Sequence, residues 1–138
     1  MVPERRYEVA AELFAEALGA PADGSAELGG VARTYGTELG TEARRRAGRR
    51  ARPQRRLEAL QSVLRDAGYV PFERDGELRL LNCPFHELAQ RHRQLTCGMN
   101  LALCEGMLDG ANLASDAARL DWQPGLCCVA IRSDKIGG

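Results

Sequence analysis

The chain has 138 residues, of which 44% are hydrophobic and 28% charged, and its 19 basic and 19 acidic side chains cancel to a formal net charge of zero. This length and composition indicate one soluble globular domain, and the balanced charge excludes a general attraction to nucleic acid or to an anionic membrane. No stretch approaches the roughly 18 apolar residues of a membrane helix, and the N-terminus lacks the apolar stretch of a signal peptide.

We therefore expect a cytoplasmic protein whose thiols stay reduced. In that compartment five cysteines indicate a metal or redox site more than a disulfide framework. The sequence has only two histidines, no Ser/His/Asp spacing and no phosphate-binding glycine motif. We accordingly expect no enzyme activity.

Three helices are predicted before residue 69. The first covers 4–18, with apolar residues at helical spacing, and the second begins near Ser25 and is expected to end at Pro53. The second helix contains Gly29, Gly30, Gly36, Gly40 and Gly48. Each glycine costs about 1 kcal/mol relative to alanine in a helix. Since small residues at near-helical spacing allow another helix to approach closely, this composition predicts close helix packing. The third helix covers 55–67 and ends at Gly68. Its expected buried stripe is Leu57, Leu60, Val63 and Leu64.

From residue 69 the apolar period changes from helical to alternating. Segments 69–74 and 77–81 flank Asp75 and Gly76, a strong hairpin signal. A short helix is predicted over 85–93 and a longer one over 97–108. Two further segments, 117–122 and 127–132, are expected to form a second hairpin.

The predicted fold is α+β. A helical region over 1–68, expected to dimerise, precedes a cysteine-containing region over 69–138, and the two together form one domain. In the second region short helices are expected to cover one face of a four-stranded antiparallel sheet.

The cysteines stand at positions that favour metal binding. Cys83 follows a predicted strand and starts a helix, and Cys97 is predicted to start the next one, where backbone N–H groups and the helix dipole favour a thiolate. Cys127 and Cys128 open the last strand and, as neighbours, point to opposite faces, so both cannot easily serve one site. Cys127 is preferred because it shares the face expected to lie under the helices. Cys104, amid leucines, is expected to be a core side chain. Because it follows Cys97 by seven residues on the same helical face, the alternative that it points toward the site stays open.

Three segments carry a resemblance to a known family of regulators. They are residues 81–89 (LNCPFHELA), 95–103 (LTCGMNLAL) and 124–129 (PGLCCV). Together they resemble the C-terminal half of SufR-type repressors, which are grouped with the ArsR- and DeoR-like winged-helix regulators. In that family three cysteines hold an iron–sulfur cluster, and the protein represses the genes for cluster assembly.

The resemblance implies a ligand set and partners. Cys83 and Cys97 would be two ligands and Cys127 or Cys128 the third, holding a [4Fe–4S] cluster or, as the alternative, a [2Fe–2S] cluster. His86 is the nearest candidate for a fourth ligand. His92, a small molecule or a residue of a second subunit are the others. In the family a winged helix-turn-helix precedes this region, and no such pattern occurs here, so we expect this chain by itself to bind operator DNA poorly.

We therefore expect the sensor domain of a homodimeric transcriptional repressor, in which cluster loss or oxidation releases DNA. Two alternatives stay open. The thiols could hold a structural zinc ion. The domain could instead bind a small-molecule effector between sheet and helices, with the cysteines incidental.

Overall fold

A computed structural model describes residues 22–67, 69–81, 91–123, 126 and 128–136. Its elements, in chain order, are α1 (Ala22–Ala47), α2 (Pro53–Asp66), β1 (Pro71–Arg74), β2 (Glu77–Leu80), α3 (Arg93–Gly110), a 3₁₀ turn (Ser115–Ala117), β3 (Ala118–Leu120) and β4 (Val129–Arg132). The predicted α+β class is confirmed. The helix predicted over 4–18, and all but the end of the helix predicted over 85–93, lie outside the described residues.

The four strands form one antiparallel sheet in the order β1-β2-β4-β3. The predicted hairpin between β1 and β2 is confirmed. Its turn residues Asp75 and Gly76 have positive φ angles of 54° and 76°, as a type I′ turn requires. In the centre of the sheet Leu78 pairs with Ile131, and both side chains are buried. The predicted second hairpin is also present, as β3 and β4.

The boundary between α1 and α2 differs from the sequence expectation. Pro53 was expected to end the second helix, but α1 ends at Ala47 and Pro53 is the first residue of α2. Two local properties explain the difference. Gly48 takes a φ of +103°, a left-handed conformation that ends helices and costs glycine little. Proline is favoured at a first helical position because the N–H that it lacks would have no partner there.

The helix pair α1 and α3 is held at very close range by glycines from both sides. A methyl group on Gly36 or Gly40 would lie 2.0 Å from the carbonyl oxygen of Leu103 or Met107. The close packing predicted from the glycines of this helix is therefore confirmed, and the partner is α3 of the same chain. None of the helices in the described part of the chain combines the length and the apolar character that crossing a membrane requires.

A single apolar core joins the two predicted regions. All four residues of the predicted α2 stripe are buried, at 3% exposure or less. They belong to the same cluster as Met107 of α3 and Ile131 of β4. The helices before residue 69 and the sheet after it therefore stabilise each other through shared burial of apolar surface.

Candidate functional site

The helix that carries Cys97 begins four residues earlier than the sequence predicts. α3 starts at Arg93, so Cys97 lies in its second turn, beyond the four N-terminal residues whose N–H groups lack helical partners. The expectation that Cys97 stands at a helix N-terminus is therefore wrong. The helix start was missed because the first turn of α3 is mostly polar and because His92, at its start, makes no side-chain capping bond.

Two of the candidate thiols meet at one pocket. The pocket has a volume of about 270 Å³ and lies between the first half of α3 and the β3–β4 hairpin. Its described lining is Arg93, Gln94, Cys97, Gly98, Leu120, Trp122 and Cys128. Cys97 and Cys128 are present as thiols, only 6% and 5% exposed. Two cysteines that are 31 positions apart in the sequence thus line one small pocket.

Strand pairing brings Cys128 to this position. Cys128 directly precedes β4, and Leu120 of β3 pairs with Val129 of β4. One residue further along, the Asp121 backbone N–H donates to the Cys128 carbonyl oxygen over 2.8 Å. The hairpin ladder therefore continues past the strand ends and holds Cys128 beside Trp122. Two neighbouring cysteines were candidates for the third ligand. Cys128 lines the pocket, and Cys127 lies outside the described residues.

Behind the pocket, Cys128 contacts a buried amide. Asn100 lies three residues after Cys97 on α3 and is only 1% exposed. Its Nδ2 group donates to the Cys128 Sγ atom over 3.9 Å, near the upper limit for a hydrogen bond to sulfur. The thiol of Cys128 therefore lies between a donor in the core and the open volume of the pocket.

A positive charge stands at the mouth of the pocket. The Arg93 guanidinium lies 4.2 Å from the centre of the Trp122 ring, within range of a cation–π interaction. No carboxylate pairs with Arg93 within the described ranges of the chain. Its charge is therefore left to favour an anionic occupant of the pocket.

An ion-pair network anchors the segment that leads to Trp122. The Arg79 side chain, 7% exposed, pairs with Asp121 and lies 3.4 Å from Glu77. Arg119 also pairs with Glu77 and lies 3.3 Å from Asp121. Hydrogen bonding from Arg79, reinforced by Arg119, lowers the pKa of Asp121 from its ordinary value of 3.8. Sequence reasoning missed this network, because its charges lie on β2 and at β3, two strands that β4 separates in the sheet.

The remaining candidates are not all brought to the pocket. Cys83, His86 and Cys127 lie outside the described residues. Cys104 is 2% exposed within the apolar core, as its surroundings predicted. Among the described residues no three His, Cys, Asp or Glu side chains form a group that could hold a metal ion, so His92 does not join Cys97 and Cys128.

The described donors fit part of the ligand set that the family resemblance implies. Two buried thiols at one pocket are the soft donors that iron–sulfur clusters and zinc prefer, and the nearby guanidinium suits an anionic group. Comparisons with family models, with curated proteins and with solved structures gave no match to this chain. The similarity to SufR-type repressors therefore stays an expectation from the sequence motifs.

Proposed function

We propose that this protein is the iron–sulfur-cluster-binding sensor domain of a transcriptional repressor, with Cys97 and Cys128 as two of the cluster ligands. The observation that carries the proposal is the meeting of two buried thiols, from separate elements, at one pocket. Cys83 would supply a third thiolate. Bound there, the cluster would supply a centre sensitive to oxidants and to iron supply.

The residues around the two thiols suit this role. Cys97 and Cys128 bind as thiolates, and the Arg93 guanidinium offsets part of the resulting negative charge. The Trp122 ring, stacked on Arg93, covers one side of the pocket and restricts access of water and oxidants. The ion pair between Arg79 and Asp121 holds the strand end from which Trp122 and Cys128 project.

A route from the pocket to the rest of the protein runs along α3. Its second turn carries Cys97, and its last turns contact the backbone of α1 through Gly106 and Gly110. Because backbones in contact have no compliant side chains between them, a shift of α3 on cluster loss would move α1 with it. We propose that α1 passes this movement to a winged-helix DNA-binding domain, and that the repressor acts as a homodimer.

Anaerobic purification tests the proposal directly. Visible absorption, iron and acid-labile sulfide would be measured for the wild type and for the Cys97→Ser and Cys128→Ser variants. The matched control is Cys104→Ser, since Cys104 is an equally buried thiol on the same helix but does not line the pocket. We expect a brown wild type and control, and at least a tenfold loss of iron and sulfide in the two pocket variants. Equal iron and sulfide in all four proteins would refute these ligands.

The outcome also separates the alternative functions. A colourless protein that retains zinc through Cys97 and Cys128 would indicate a structural metal domain. A protein that takes up neither metal nor cluster, even after anaerobic reconstitution, would favour an organic effector in the same pocket. Repeating the assays with Cys83→Ser would test the third ligand, and Cys127→Ser would test the choice of Cys128 over its neighbour.

A separate experiment addresses assembly. Sedimentation of the purified chain, with and without its cluster, would give its mass in solution. A dimer in both states would support the proposed repressor architecture. A monomer at micromolar concentration in both states would contradict the homodimer and leave the ligand assignment intact.

A further inference from the structure

The buried amide of Asn100 is an unusual choice for its position. It lies in the middle of α3, 1% exposed, on a helix whose neighbouring positions include the buried apolar residues Leu103 and Met107. Burial of a side-chain amide costs free energy unless hydrogen bonds replace those to water. A leucine of similar volume would fill the same space without that cost. The amide therefore needs an explanation in what it contacts.

One of its contacts is the sulfur of a proposed ligand. The Asn100 Nδ2 group donates to Cys128 Sγ over 3.9 Å. A thiolate accepts a hydrogen bond more strongly than a neutral thiol does, because charge on the acceptor strengthens and shortens the bond. Hydrogen bonds to ligand sulfurs are also among the factors that set the reduction potential of iron–sulfur clusters.

We infer that Asn100 is a positioning residue for Cys128, holding its sulfur toward the pocket through the hydrogen bond from Nδ2. The role in cluster chemistry rests on the proposed function, whereas the orientation of the sulfur does not. Since Asn100 follows Cys97 by three residues on one helix, α3 supplies both one sulfur of the site and the donor that orients the other. A shift of α3 would then change both at once.

Thiol alkylation of the metal-free protein tests the inference, because Cys97 serves as an internal control in the same pocket. The alkylation rates of the two cysteines would be followed by peptide mass spectrometry at pH 7. Asn100→Leu removes the donor and keeps the volume, and Asn100→Asp keeps the shape and replaces the donor by an acceptor. Thr96→Val is the control: Thr96 is 2% exposed on the same helix, and its hydroxyl has no hydrogen-bond partner among the described residues.

In both Asn100 variants we expect Cys128 to react about tenfold more slowly at pH 7, because its sulfur is no longer held toward the pocket by one hydrogen bond. Cys97 in these variants, and both cysteines in Thr96→Val, should keep their wild-type rates. Unchanged Cys128 rates would overturn the inference. So would parallel changes at both cysteines in both variants, since these would indicate loss of packing.

The cluster supplies a second, independent readout. If the wild type holds a cluster, Asn100→Asp should lower its reduction potential, because a donor to a ligand sulfur is replaced by a negative charge. If the wild type holds no cluster, the proposed function fails while the alkylation rates still decide the role of Asn100. The two failures are thereby distinguishable.

Discussion

The two halves of α3 use the same small residues for opposite purposes. In the C-terminal half, a methyl group on Gly106 or Gly110 would lie 2.2 Å from a carbonyl oxygen of α1, so these glycines allow backbone contact. In the N-terminal half, a methyl group on Gly98 would meet nothing within 4 Å, and the adjacent Cys97 opens onto the pocket. One helix thus combines a rigid packing surface with a site that has room for a ligand. A glycine in the sequence does not by itself tell which role it has.

The largest expected effect comes from filling the close contact. Gly40→Ala would place its methyl group 2.0 Å from the Met107 carbonyl oxygen, and we expect a loss of about 3 kcal/mol or more in the free energy of unfolding. Urea denaturation followed by circular dichroism measures it. The matched control is Gly30→Ala on the same helix, where nothing lies within 4 Å and helix propensity should add about 1 kcal/mol. Equal stabilities for the two variants would contradict the backbone contact.

The pocket half should be distinguished by its response to acid. Because the folded state lowers the pKa of Asp121 below 3.8, the ion pairs of Asp121 contribute stability above that pH, and this stability is lost as the pH falls through the lower folded pKa. At pH values below about 4, we expect the urea concentration at the unfolding midpoint to decrease. In Asp121→Asn, part of that decrease should be absent.

The control for the acid response is Asp134→Asn. Asp134 also has a lowered pKa, through hydrogen bonding from Arg132, but it does not line the pocket. Both variants should flatten the acid response of stability. Trp122 is the single tryptophan of the chain, so its fluorescence reports on the pocket, and only Asp121→Asn should change it. An unchanged spectrum in Asp121→Asn would show that the network does not hold the pocket wall.

A smaller effect of opposite sign is expected at Gly98. Gly98 is exposed, and a methyl group added there would meet nothing within 4 Å. Gly98→Ala should therefore raise the free energy of unfolding by about 1 kcal/mol, the difference in helix propensity. The same urea denaturation measures it. A destabilised Gly98→Ala variant would mean that this half of α3 is packed as tightly as the other, and the contrast between the halves would be lost.

The smallest expected effect is at the mouth of the pocket. Arg93→Gln removes the cation from the Trp122 ring and should cost about 0.5–1 kcal/mol, as expected for an exposed cation–π pair. The Trp122 emission should change with it, because the charge next to the ring is gone. Arg74→Gln, an exposed arginine on β1, is the control and should leave the emission unchanged.

The elements predicted best are those whose signal is local. The hairpin turn at Asp75 and Gly76 was predictable because a type I′ turn needs two positive φ angles, which this pair adopts readily. The α2 stripe was predictable because its apolar residues follow the helical period. The predicted start of α3 at Cys97 and the predicted helix end at Pro53 were wrong, since the first turn of α3 is mostly polar and a proline marks a helix start or a helix end equally well.

The site was predictable only in its residue types. The sequence by itself determined that cysteines stand near strand ends and on a helix, that the chain folds as helices followed by an antiparallel sheet, and that glycines make one helix suited to close packing. Only the tertiary structure decided that Cys97 and Cys128 share a pocket and that Asn100 donates to Cys128. The physical reason is that composition and periodicity act within one element, whereas each of these contacts depends on how α3 lies against the β3–β4 hairpin.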